Sequence, residues 1–241
     1  MNNFHTNKQQ IIDWLKKHEV KNYILIPDEQ YGFIVSVNGD VDLSDKKFLS
    51  IPIKFSEVTG SFDCSYNQLT SLEFCPETIS GSFYCSKNKL TSLEFSPKTV
   101  VGNFYCNNNQ LTSLEFCPQV VVVSFGCSGN QLTSLEFCPE RVGDSFWCSS
   151  NQLTSLKFCP QTVGGSFYCS HNKLTSFEFC PQEVSDKFYC ENNTELKEIQ
   201  EITDFRLIFL EHKKILINKF SDKLESDLIS DKNKKSAKIK I

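Results

Sequence analysis

Residues 127–139 read CSGNQLTSLEFCP, and close copies stand at 64–76, 85–97, 106–118, 148–160 and 169–181, each 21 residues after the one before. Cys64, Cys85, Cys106, Cys127, Cys148, Cys169 and Cys190 follow this step, as do Cys75, Cys117, Cys138, Cys159 and Cys180, with Ser96 in the missing slot. The two series account for all 12 cysteines, so cysteine placement belongs to the repeat. A fixed period of this length signals a solenoid, whose units stack because none buries its apolar face alone. Full coils start at Gly60, Gly81, Gly102, Val123, Asp144 and Gly165, and a truncated one at Asp186. A degenerate coil over 39–59 precedes them, with Val41, Leu43, Phe48, Ile51 and Ile53 in its apolar slots.

Within a unit the order is Phe-x-Cys-x-x-Asn-x-Leu-x-x-Leu-x-Phe, as at Phe125, Cys127, Asn130, Leu132, Leu135 and Phe137. A Val or Ile stands four places upstream of the first Phe: Ile79, Val100, Val121, Val142, Val163, Val184. Alternation around SFYCS sends Phe83 and Cys85 to the core, with Ser82, Tyr84 and Ser86 outward. Burying a Phe contributes about 1.5–3 kcal/mol, so two buried Phe ladders would carry the fold. Pro76, Pro97, Pro118, Pro139, Pro160 and Pro181 suit a return turn, where no ladder N–H is needed.

Over 39–194 this pattern resembles the leucine-rich repeat, with Phe and Cys in two leucine slots. It is similar to short 21-residue repeats of phage, giant-virus and bacterial proteins. Those often carry Gly where this chain has Phe74 or Phe116, which implies a fuller core here. The resemblance implies an α/β-type repeat solenoid with a curved parallel β-sheet on its concave face and a mostly irregular convex side. It also implies that Asn67, Asn88, Asn109, Asn130, Asn151 and Asn172 point inward and bind the turning backbone of their own and adjacent coils. Asn193 extends that row, and Asn192-x-Thr194 is a glycosylation sequon discounted for want of a secretion signal.

For the cysteines, zinc would want C-x-x-C pairs, which are missing, and a disulfide framework suits secreted domains. Packing as a small buried hydrophobe fits better, because Ser96 and Leu43 replace cysteines without breaking the pattern. The second series lies nearer the return turn and is the more exposed to oxidation.

Residues 1–38 read as a helix-plus-hairpin cap, with Ile11, Ile12, Trp14 and Leu15 at helical spacing and strands on either side of PDEQ. Residues 195–241 read as a helical cap and basic tail, with Thr203 as N-cap and a stripe of Phe205, Ile208, Phe209, Leu216, Phe220 and Leu224. Leu207, Leu210 and Ile217 fall on another side, so 203–228 is a candidate for self-association.

A net charge of −4 gives no general pull toward nucleic acid, and no apolar run has the roughly 18–20 residues that span a bilayer. The start MNNFHTNKQQ has neither the basic run nor the apolar core of a secretion signal, so a cytoplasmic location is expected, the host's if the origin is viral. His5, His18, His171 and His212 are scattered, and no phosphate loop or nucleophile elbow is present. No enzyme, cofactor or metal is therefore expected.

Function is expected on the outward face of the SFYCS strands. Tyr84, Tyr105, Trp147, Tyr168 and Tyr189 form a row interrupted at Gly126 and begun by Asp63, with Lys87, Asn108 and His171 in the row three places on. Exposed Tyr and Trp favour recognition of a partner protein over mere cross-strand stacking. Glycan binding on the same face, and assembly through the C-terminal helix, are the alternatives. Glu73, Glu94, Glu115, Glu136, Lys157 and Glu178 read as a solubilising edge.

Overall fold

The computed structural model describes residues 7–193 and, beyond them, Leu210, Lys214, Ile217, Asn218 and Ser221, which are helical and exposed. The Phe205–Leu224 stripe, the basic tail, Thr194 of the sequon and residues 1–6 lie outside the described residues. The chain winds as a parallel β-solenoid with one 9-stranded and one 8-stranded sheet.

The 8-stranded sheet holds the first Phe of each coil. Val41–Asp42, Phe62–Asp63, Phe83–Tyr84, Phe104–Tyr105, Phe125–Gly126, Phe146–Trp147, Phe167–Tyr168 and Phe188–Tyr189 pair in parallel, so each residue faces its equivalent 21 positions on. The Phe rings stack at 5.2–6.0 Å from Phe62 to Phe188 and are fully buried. The Leu and Cys ladders fill the rest of the same core.

The other sheet makes the return side more regular than expected. Thr78–Ile79, Thr99–Val100, Val120–Val121, Arg141–Val142, Thr162–Val163 and Glu183–Val184 form two-residue parallel strands. The upstream Val and Ile are thus a ladder, because their inward side chains repeat at one height in every coil. At the N-terminus, α1 (Lys8–Lys17) starts where Asn7 Oδ1 accepts from Gln9 N and Gln10 N at 3.0 and 3.2 Å. Its buried Ile11, Trp14 and Leu15 share one face, and Trp14 stacks on Phe48 at 5.8 Å. The antiparallel hairpin β1 (Tyr23–Asp28) and β2 (Gly32–Val37) adds to the second sheet through β2 and Phe55–Val58. Among the described residues no helix is long and apolar enough to cross a membrane.

Two expectations about burial fail. Ser82 is buried, since its Oγ accepts from Asn103 N at 2.9 Å in the next coil. More consequentially, the second Phe is outside the core in five of the six full coils: Phe95, Phe116, Phe137, Phe158 and Phe179 are 45–54% exposed, while Phe74 packs partly buried against the core. Phe74, Phe95, Phe116, Phe137 and Phe158 have φ of 67–73°, the left-handed region that turns Cβ outward before the buried Pro corner. The expectation of a fuller core from Phe at this slot therefore fails, because the positive φ and not core volume sets what the slot takes.

Each inward Asn spans two coils. Asn130 Nδ2 donates to Cys106 O and Cys127 O at 3.1 and 2.9 Å, while its Oδ1 accepts from Leu111 N at 3.1 Å. Asn130→Ala strands these groups inside the core and is expected to cost about 2–3 kcal/mol. A urea midpoint within error of wild type would contradict that role.

Candidate interaction site

Parallel pairing sets the residue after each first Phe in line, so Tyr84, Tyr105, Gly126, Trp147, Tyr168 and Tyr189 stand one coil apart on the outer face. All five rings are half-buried. They contact along the row: Tyr84–Tyr105 at 5.5 Å, Trp147–Tyr168 at 5.5 Å and Tyr168–Tyr189 at 4.5 Å, the last two nearly parallel. The sequence shows a break at Gly126, yet Tyr105 and Trp147 meet edge to face across it at 5.5 Å. A Cβ on Gly126 would lie 2.8 Å from Asn107 Nδ2 and 3.1 Å from Tyr105 Cδ1. Glycine therefore lets the rings on either side close the gap, and the row is continuous.

Beside the closure lies a shallow cleft of about 330 Å³ lined by Tyr105, Asn107, Asn108, Ser128 and Trp147. Asn107 Oδ1 accepts from Ser128 N at 2.8 Å, which holds the amide against the cleft floor. Burial pushes the Tyr105 phenol up, opposed in part by a hydrogen bond with Ser124.

Lys87, Asn108 and His171 form a second row, exposed and held at φ of 55–57°. Lys87 Nζ sits 4.4 Å from the centre of the Tyr66 ring, and His171 Nε2 lies 3.0 Å from Asn192 Nδ2. The two rows thus share one face. The cleft joins them at Tyr105, Trp147 and Asn108, and a neighbouring hollow of about 330 Å³ brings Lys87 together with Tyr84, Tyr105 and Asn108; His171 lines neither. Asn107 is one of the small polar residues that flank the ring row in sequence, as are Ser86, Ser149 and Ser170, whereas nothing in the sequence singled out Ser128 beyond the neighbouring Gly126 and Gly129.

The thiols offer little chemistry. All 12 are free and buried; a hydrogen bond with Cys75, then burial, raises Cys64, and burial raises the others for which a shift is seen, to about 11 for Cys180 and about 12 for Cys117 and Cys190. The second series also has a backbone role: Cys117 Sγ donates to Phe137 O at 2.9 Å and Cys138 Sγ to Phe158 O at 3.0 Å. Ser96 Oγ donates to Phe116 O at 2.6 Å, so the hydroxyl fills the slot by doing what the thiols do. Among the described residues no group of three or more His, Cys, Asp or Glu could hold a metal ion. In comparisons with known proteins, no family model and no curated protein matches this chain.

Proposed function

We propose that the chain is a non-catalytic protein-binding module of the leucine-rich-repeat type, which grips a partner through the aromatic face. The observation that carries this reading is the unbroken row from Tyr84 to Tyr189, whose rings lock one another in place while their outer edges meet solvent. Rings immobilised before binding lose little conformational entropy on contact, a property of good interface anchors. Protein is favoured over glycan because a sugar stacks on ring faces, and those of Trp147, Tyr168 and Tyr189 already lie against one another. Lys87, Asn108 and His171 would supply the polar rim. Residence in the cytoplasm belongs to the same reading, since 12 unpaired thiols suit a reducing compartment.

Affinity capture from the native cell, with wild type beside Trp147→Ala/Tyr168→Ala, tests it. The variant is expected to melt within a few degrees of wild type and to lose the wild-type partner. Identical capture by both proteins refutes the assignment of this face.

A further inference from the structure

The second Phe row is at odds with an idle surface. Phe95, Phe116, Phe137, Phe158 and Phe179 recur once per coil, each about half exposed. Four of them hold a left-handed backbone that bulky residues adopt only under strain. Ring exposure and backbone strain at one position would both vanish with glycine. Strain kept at successive coils is the sort that accompanies function.

We propose that two copies of this chain associate through this row. The occupant must present apolar groups at the solenoid's own spacing, and a second copy carries that spacing by construction. Phe74, the first member, shows how such a ring is covered: Tyr31 from the β1–β2 turn meets it edge to face at 5.5 Å, leaving it only partly exposed. At Phe158 the side chain of Lys157 lies over the ring, with Nζ 4.8 Å from its centre. Between Phe137 and Phe158 runs a groove of about 540 Å³, walled by Gln119, Glu140, Arg141 and Gln161 and floored by Cys138 and Cys159. A two-fold axis across this groove lays the ring row of one copy against that of the other, an isologous contact.

At roughly 200 Å² per Phe, five half-exposed rings offer on the order of 500 Å². The polar walls of the groove bring the contact toward the roughly 800 Å² per partner of a stable dimer. This surface is separate from the aromatic face proposed for the partner protein, so either assignment can fail alone.

Multi-angle light scattering on the full chain across the micromolar range tests the proposal. Wild type is expected to show a concentration-dependent dimer, and Phe116→Gly/Phe137→Gly/Phe158→Gly a monomer throughout. Glycine suits the left-handed backbone, and continued protection of the thiols from a water-soluble reagent reports that the variant is folded. Should the triple variant not fold, Phe137→Asn, which also tolerates this backbone, is expected to weaken dimerisation at least tenfold. A wild type that is monomeric at every concentration overturns the proposal. So does a dimer that survives the substitutions, which would place self-association elsewhere, as on 203–228.

Discussion

Raising the pH from 8 to 10 is expected to unfold this protein cooperatively. Burial pushes ten of the thiols up, and a hydrogen bond with Cys75, followed by burial, does the same for Cys64, so the folded state keeps all eleven protonated. In the unfolded chain they ionise near 8.5. A group whose folded pKa is raised contributes stability that is intact below its unfolded pKa and lost as pH rises above it. Each thiol then removes up to about 1.4 kcal/mol per pH unit. Acting together, they remove on the order of 10 kcal/mol within one unit above 9, comparable to the whole stability of a domain. The window closes near 11, where Cys180 ionises even when folded. Circular dichroism and thiolate absorbance followed together should change in a single step between about pH 9 and 10. A native spectrum at pH 11 would mean that the thiols are not in the core.

Phe125→Ala is expected to be the most damaging single substitution in the middle coils. Its ring is fully buried between Phe104 at 5.6 Å and Phe146 at 5.4 Å. Truncation removes both stacked contacts and leaves a ring-sized cavity, at about 3–5 kcal/mol. Each coil touches only its neighbours, so the lesion separates the coils on either side and broadens the urea transition. Phe137→Ala, twelve residues on, loses a ring already half in water and should cost far less. Equal losses at the two positions would contradict the assignment of inner and outer Phe.

Much of the core was legible in the sequence because period and alternation report which side chains share an environment. Phe62 to Phe188, Cys64 to Cys190, and the helix face of Ile11, Trp14 and Leu15 are of this kind. Two-residue strands such as Thr99–Val100 are too short to alternate, so the second sheet did not declare itself. The outer Phe row was misread for a different reason. Apolar character argues for burial, whereas the sign of φ decides where the side chain points, and a phenylalanine does not declare it. In the candidate site the ring positions could be read, and the closure over Gly126 could not. A missing side chain looks like a gap until its neighbours are seen to lean into it.

Hydroxyl-radical footprinting of the native protein, resolved to individual residues by mass spectrometry, most directly tests the winding on which both interaction surfaces rest. Oxidation is expected at Phe95, Phe116, Phe137 and Phe158, with Phe83, Phe104, Phe125 and Phe146 untouched. Oxidation of the inner series with protection of the outer one in a dilute, monomeric sample would contradict it.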